Sequence, residues 1–322
     1  MSIMKNLLLT GVALMAISAA TFAQNNQTTV FQVGNYSQAS ADQKGTFNSA
    51  QFVQDGNGAS ASRMNKAQIN QQGAGTSALR NTGLVFQTGN GHTVRLTQQG
   101  DASDNFAQFT QNQANATANA TQSGTRNAIF STQRSALGTA VEATIQQTGN
   151  RNRIEISGQT DVIDAEDGTS AFITQMGNDN LVDLSQLGDG NKASVGQMGN
   201  WSEAYIAQTG VLHKLVVNQT SMGSTSSRFN LVNIDQRGTR GDIQATQTGN
   251  DNRIQLFSDG DFNTASMTQS GTGHVVRGVG NTFAQQVGNR NTLTTSQNGN
   301  DQTISSTQNG NFNSAFVVQN NQ

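Results

Sequence analysis

Three histidines are the residues whose type is best suited to catalysis or metal binding. Neutral imidazoles bind transition metals and act as general acids or bases near neutral pH. His92, His213 and His274, however, each lie five positions after a recurring Gln, where the chain otherwise carries Asn. We therefore interpret them as substitutions within a repeat, and the sequence predicts no catalytic site and no enzyme.

A run of carboxylates is the second feature with possible chemistry. Asp161, Asp164, Glu166 and Asp167 fall in a lengthened turn, and carboxylate oxygens are the ligands that Ca²⁺ prefers. Their spacing matches no known calcium-loop signature, so a solvated turn is the favoured interpretation, and a metal site there stays an open alternative. No cofactor is predicted. A net charge of −2 with 12% charged residues offers no basic stripe for nucleic acid.

An 11-residue repeat surrounds these groups and is the dominant signal of the chain. Gln returns every 11 residues at Gln175, Gln186, Gln197, Gln208 and Gln219. Five places after each of the first four comes a polar residue, and seven and nine places after come apolar ones. These positions are two apart, so they share one face of a β-strand. A fixed repeat of this length predicts a solenoid or stacked array.

Composition by itself suggests something different. Roughly a quarter of the residues are Asn or Gln, which is typical of chains that are disordered yet prone to β-aggregation. The chain contains no Pro, although disordered segments are rich in it, and paired strands exclude Pro because they need every backbone donor. The composition therefore favours stacked strands over disorder.

The first 23 residues have the pattern of a secretory signal peptide. Lys5 supplies the positive end, residues 7–20 form a short apolar run, and Ala23 precedes a plausible cleavage point. The run is shorter than the ~20 residues that span a membrane, and no other segment approaches that length. We therefore expect a secreted protein without a transmembrane segment. The absence of Cys rules out disulfides as the means of stabilisation.

The repeat predicts one domain over residues 24–322. Counting the residues that close each strand predicts an all-β solenoid of stacked strand-turn-strand repeats, with about 24 short strands in about 12 rungs and a cross-β arrangement on assembly. Gly158 and Ser258 replace the closing Gln in two strands. Extra residues are expected in turns, and only the strand assignment within 270–286 is ambiguous.

Inward-facing amides are expected to hydrogen-bond along the stack. A buried amide without a partner costs about 1–3 kcal/mol, whereas identical amides one rung apart can bond donor to acceptor. The predicted ladder and polymerisation residues are Gln32, Gln43, Asn48, Gln54, Gln175, Asn180, Gln186, Asn191, Gln197, Gln208, Gln219, Gln247, Asn252, Gln297, Gln308, Asn313 and Gln319.

Tight turns separate the strands. Gly and Asn recur in them as QTGN, QMGN, QVGN and QNGN, and both residue types tolerate the positive φ of a tight reversal. The predicted turn residues are Gly34, Gly45, Gly89, Gly149, Gly177, Gly199, Gly249, Gly288, Gly299 and Gly310.

The motif within each repeat resembles that of a known family. Residues 43–54 and 308–319 both read Gln-x-Gly-x-x-Asn-x-Ala-x3-Gln, and this pattern is similar to the curlin repeat. Curlins are secreted subunits of curli, the functional amyloid fibres of bacterial biofilms. The resemblance covers essentially all of residues 24–322, although this chain has more repeats than the well-known members. It implies a structural fibre subunit at the bacterial cell surface, with roles in biofilm matrix and adhesion.

The resemblance also implies partners. They are further copies of the chain, added strand to strand at the ends, together with a nucleator subunit and dedicated secretion machinery. The alternative function is a soluble secreted β-solenoid, such as an adhesin or ice-binding protein, which does not polymerise. Soluble solenoids need polar caps over their terminal rungs. Because residues 26–32 and 313–319 are ordinary repeats, we expect uncapped ends and favour the fibre.

Overall fold

The alternation of inward and outward side chains makes this chain fold as short parallel strands. The computed structural model describes residues 25–57, 64–74, 80–100, 104–135, 140–161, 168–221, 229–278, 280 and 282–321. The predicted signal peptide, residues 1–23, lies outside the described residues, as do residues 162–167 of the acidic turn. The described residues form 26 β-strands and no α-helix.

The strands lie in two parallel sheets, here called sheet A and sheet B. Sheet A contains β1 (Gln27–Asn35), β3 (Ser49–Asn57), β5 (Thr82–Asn90), β7 (Phe106–Ala114), β9 (Ala128–Ser135), β11 (Arg153–Asp161), β13 (Leu181–Leu187), β15 (Ser202–Val211), β17 (Asn230–Thr239), β19 (Arg253–Asp259), β21 (Val275–Arg277), β22 (Ala284–Val287), β24 (Thr303–Ser305) and β25 (Thr307–Asn309). Sheet B contains β2 (Ser37–Thr46), β4 (Asn65–Ala74), β6 (Thr93–Gln99), β8 (Ala116–Thr125), β10 (Val141–Asn150), β12 (Ser170–Asn178), β14 (Lys192–Met198), β16 (Lys214–Thr220), β18 (Asp242–Asn250), β20 (Thr264–Thr272), β23 (Thr292–Asn300) and β26 (Ser314–Asn320).

Apart from the pairs β21/β22 and β24/β25, consecutive strands alternate between the two sheets, and each pairs in parallel with the next level of its own sheet. One strand of each sheet and the turns between them form one coil, so the predicted all-β solenoid is confirmed. Sheet B has 12 strands, which gives 12 levels. The described strands number 26 rather than about 24, because sheet A divides one strand in two at each of its last two levels.

The core is a stack of small and branched side chains between the sheets. In β13, Val182, Leu184 and Gln186 are buried, whereas Asp183 and Ser185 on the other face are not. Each level adds about four apolar side chains, such as Val182, Leu184, Ala193 and Val195, which cannot offset the cost of ordering 22 residues when each residue costs about 1–2 kcal/mol. The levels therefore stabilise one another through their interfaces, as expected for a solenoid.

The ambiguous segment 270–286 departs from prediction in an informative way. β19 pairs with β21 up to Val276 and resumes with β22 at Ala284, so the extra residues interrupt a strand instead of lengthening a turn. The amide N–H of Gly278 donates to the carbonyl of Thr282 at 2.7 Å and closes the base of this inserted loop. The expectation that extra residues fall in turns is wrong here. Register survives because both halves of the strand keep their inward positions.

Candidate functional site

Glutamine side chains form a continuous hydrogen-bonded ladder along sheet B. At every level the Nε2 group donates to the Oε1 atom of the Gln at the next level, over 2.7–3.1 Å. Its members are Gln43, Gln71, Gln98, Gln122, Gln147, Gln175, Gln197, Gln219, Gln247, Gln269, Gln297 and Gln319. All the bonds run in the same direction, so the ladder has an acceptor end at Gln43 and a donor end at Gln319.

The same amides also tie the two sheets together. Gln197 Nε2 in β14 lies 2.9 Å from the carbonyl oxygen of Leu181, the first residue of the facing strand β13. It also lies 3.0 Å from the carbonyl oxygen of Ser202, at the start of β15. One buried side chain therefore bonds the backbone of two consecutive strands of sheet A as well as its neighbour in the ladder. A Leu of similar volume would supply none of these bonds.

A second Gln ladder runs along sheet A, and it contains a gap. The bonds link Gln32, Gln54, Gln87, Gln111, Gln133, Gln159, Gln186, Gln208 and Gln236, and then Gln286 and Gln308, over 2.5–3.2 Å. Between Gln236 and Gln286 the ladder position is held by Ser258, which is buried. Gln236 Nε2 and Gln286 Oε1 have no hydrogen-bond partner within the described residues.

The other predicted replacement of a ladder Gln, at Gly158, is wrong. A β-bulge in β11 shifts the register, so Gln159 aligns with Gln133 and joins the ladder. Gly158 takes the bulge position with φ 63°, a left-handed conformation that Gly adopts without steric cost. The strand thus accommodates one extra residue and keeps its amide in line.

The inward Asn residues mainly bond to backbone, which corrects the expectation of an Asn ladder like that of Gln. Asn180 Oδ1 accepts the N–H of Ser202 at the next level, 3.0 Å away, and its Nδ2 donates to the carbonyl of Gly199 at 2.9 Å. The predicted residues Asn191 and Asn252 make the same two kinds of bond. Near the two ends, Asn48 and Asn313 donate in this pattern, each from Nδ2 to the carbonyl four residues earlier and from its backbone N–H to the Oδ1 of the Asn one level away. Direct Asn–Asn side-chain bonds, as from Asn180 Nδ2 to Asn152 Oδ1, are an addition to this pattern.

Two buried histidines reproduce the bonding of the Asn that they replace. His92 Nδ1 accepts the N–H of Ala116 at 3.3 Å, and its Nε2 lies 3.1 Å from the carbonyl of Thr88. His213 bonds in the same way to backbone groups of Gly241 and Thr209. An Nδ1 atom that accepts an N–H must be unprotonated, so both rings are neutral. Burial lowers the pKa of both imidazoles, and their backbone hydrogen bonds oppose this effect.

The turn glycines predicted from sequence all adopt positive φ. At Gly149, for example, φ is 114°, and an added Cβ would collide with the carbonyl oxygen of Gly177 at the next level. The Asn directly after a turn Gly, such as Asn150, was expected to share this positive φ, and that expectation is wrong. The next residue takes it instead, including Trp201 and Phe312 with φ of 58° and 61°. The turn Asn side chains stack on one another. Asn178 Oδ1, for example, accepts hydrogen bonds from both the backbone N–H and the Nδ2 group of Asn150.

The two ends of the solenoid are not covered within the described residues. Side chains that are fully buried at interior levels become half-buried at the ends, namely Val30, Ala41, Ala315 and Val317. Gln319 lies on this open surface, and Gln43 is half-exposed at the opposite end. Within the described residues each end therefore presents strand backbone without a further level to pair with, together with the inward side chains and the closing Gln of its last strands.

Other chemistry is sparse in the described part of the chain. No group of three or more His, Cys, Asp or Glu side chains is placed there to hold a metal ion. No helix there is long and apolar enough to cross a membrane. The Arg151 guanidinium bonds the carboxylate of Asp179 over 2.6 Å, one level away in the turns, and this bond raises the pKa of the arginine.

Comparison with known families gives one match. The curlin associated repeat matches residues 177–210, which span parts of β12 to β15 in the middle of the stack. This match and the β-solenoid fold fit a curli-like structural subunit, and they support the resemblance drawn from the motif. No curated protein matches the chain.

Proposed function

We propose that the chain is a secreted structural subunit that self-assembles end to end into extracellular, amyloid-type fibres of the curli kind. These fibres would serve biofilm matrix, adhesion and surface attachment at the bacterial cell surface. The observation that carries the proposal is the pair of open ends, which present the same strand, core and ladder elements that adjacent levels bury against each other. A nucleator subunit and dedicated secretion machinery are further proposed partners, by analogy with the family that the repeat resembles.

The polarity of the stack favours a head-to-tail contact. Every pairing of neighbouring levels is parallel, and every ladder bond points from a lower-numbered Gln to a higher-numbered one. If β26 of one copy stacks on β2 of the next, Gln319 Nε2 meets Gln43 Oε1. In the same contact, Gln308 in sheet A meets Gln32. A head-to-head contact would reverse strand direction and lose this register.

Fibre formation by the mature chain tests the proposal. Residues 24–322, incubated at tens of micromolar, should form detergent-resistant fibres with a ~4.7–4.8 Å cross-β repeat along the axis. A chain that keeps its β-structure and stays monomeric for days would favour the soluble adhesin alternative and overturn the proposal.

The contact itself is tested by seeded elongation of variants. Gln319→Leu should leave the circular dichroism of the monomer nearly unchanged and slow elongation strongly, because its ladder partner belongs to the next copy. Gln51→Leu is the matched control, since Gln51 lies between the inward Ala50 and Phe52 and faces outward. If the Gln319 variant elongates at the wild-type rate, β26 is not part of the interface between copies.

A further inference from the structure

A groove lies on the outer face of sheet A, away from both ladders and both ends. Its volume is about 560 Å³, and its lining extends from Ser157 in β11 to Gln285 in β22. That distance covers six neighbouring strands, or about 24 Å along the solenoid axis at ~4.8 Å per strand. Thr282 and Phe283 of the inserted loop form part of its wall. We call this feature the axial groove.

The lining combines aromatic rings with planar polar groups. Tyr205 and Phe257 are half-buried on the sheet face, and Phe283 is half-buried in the inserted loop. Between and around them lie a carboxylate, Asp183, and an amide, Asn233. An elongated site with spaced rings and a few oriented hydrogen-bonding groups is the usual form of a ligand groove with defined chemistry.

The charges of the groove argue against an anionic ligand. Among its described lining residues none is Lys or Arg. Asp183 forms no ion pair among the described residues, and its burial, together with the nearby carboxylate of Glu155, raises its pKa. A phosphate or a uronate would meet this carboxylate, while Arg153 and Arg237, the cations beside the groove, are already paired with Glu155 and Asp235.

A cationic ligand is also disfavoured. Arg237 already lies over the Phe257 ring, with its guanidinium carbon 5.2 Å from the ring centroid. The same guanidinium pairs with the Asp235 carboxylate at 2.7 Å. Both the ring and this carboxylate of the groove are therefore occupied by the protein's own cation. What remains is a set of apolar faces and hydrogen-bonding groups suited to a neutral molecule rich in hydroxyls.

We propose that the axial groove binds a neutral polysaccharide chain laid along the solenoid axis. The apolar C–H faces of sugar rings pack on aromatic rings, and their hydroxyls pair with carboxylate and amide groups, which offer several acceptor and donor sites each. The stacking rings are Tyr205 and Phe283, and the hydroxyl partners are Asp183, Asn233 and Gln285. In a fibre, this site would recur once per copy on the side of the stack.

The test is equilibrium dialysis of the mature chain, residues 24–322, against hexasaccharides of defined charge. The probes are the neutral cellohexaose and maltohexaose, the anionic hexamer of galacturonic acid and the cationic hexamer of glucosamine. We expect saturable binding of at least one neutral hexamer, about tenfold or more tighter than either charged hexamer. The proposal is overturned if neither neutral hexamer binds, or if a charged one binds as tightly.

Variants locate the binding. Tyr205→Ala and Phe283→Ala should each weaken binding about tenfold, whereas Tyr205→Phe should retain it because the ring is kept. Phe172→Ala is the matched control, since Phe172 is 53% exposed in β12, on the outer face of sheet B. Circular dichroism establishes that each variant is folded, and Phe283 lies outside the repeat, so at least one variant tests the groove without touching the stack. Equal weakening by Phe172→Ala would overturn the assignment to this groove.

Discussion

The ladders of the two sheets differ in one respect that separates their roles. In sheet B the Gln side chains bond without interruption from Gln43 to Gln319, and none of its 12 described strands is divided. In sheet A the ladder stops at Ser258, and the next two levels contain the divided strands β21/β22 and β24/β25. Backbone pairing nevertheless continues through these levels. The stack therefore tolerates one missing amide when the opposite sheet keeps its register.

This contrast indicates what the amides contribute. Parallel backbone pairing and apolar packing alone would allow a strand to slip along its neighbour. The Gln side chains oppose this, because a slip places each buried amide against an apolar neighbour. Sheet B thus fixes the register over the full length, and the last levels of sheet A can accommodate an inserted loop. Four measurements test this difference between the sheets.

The largest effect is expected from breaking the continuous ladder. Gln197→Leu leaves Gln175 Nε2 without its acceptor and Gln219 Oε1 without its donor. The free energy of unfolding should fall by about 1–3 kcal/mol for each of these two buried groups. Denaturant unfolding of the dilute monomer measures the change, with the outward Gln51→Leu as the control. Equal destabilisation by the two variants would contradict the assignment of inward and outward faces.

A smaller effect of opposite sign is expected from repairing the gap. Ser258→Gln gives Gln236 Nε2 and Gln286 Oε1 the partner that they lack, so the free energy of unfolding should rise by about 1–3 kcal/mol. Ser266→Gln is the control for the same change at an exposed position of sheet B. A gain at position 258 no larger than that at position 266 would show that the missing amide is not a weakness of sheet A.

The smallest effect is expected from the histidines, and only in acid. Burial lowers the pKa of His92 and His213 in the folded chain below the ordinary value of about 6.5. As pH falls below about 6.5, the unfolded chain binds these protons first, so stability declines until the folded-state pKa is passed. His92→Asn should reduce this decline, because Asn bonds the same backbone groups without titrating. An unchanged pH profile in the variant would exclude His92 from the effect.

The repeat made the fold predictable because its signal is local and recurs. The alternation around Gln186, for instance, places Val182 and Leu184 inside without any knowledge of long-range contacts. The predictions from sequence fail where the same residues allow two strand alignments. At Gly158 the Gln immediately after it was available, and a one-residue bulge restored the ladder at a cost that spacing alone does not reveal.

Other features depended on geometry that sequence does not carry. Asn180 was expected to bond to like side chains, but its shorter side chain reaches backbone N–H and carbonyl groups that sequence periodicity does not place. Bulky residues with positive φ, such as Trp201, go against local preference and are held by the fixed reversal between levels. The axial groove depends on where the inserted loop folds, and no local pattern around Phe283 indicates that.

The most direct test of the central claim, that Gln side chains couple adjacent levels, is a pair of double-mutant cycles. One cycle combines Gln197→Leu with Gln219→Leu, whose amides are bonded over 2.9 Å. The other combines Gln236→Leu with Gln286→Leu, on the two sides of Ser258. Unfolding free energies should give a coupling of about 0.5–3 kcal/mol for the bonded pair and near zero across the gap. Equal coupling energies in the two cycles would contradict the claim that the Gln ladder fixes the register of adjacent levels.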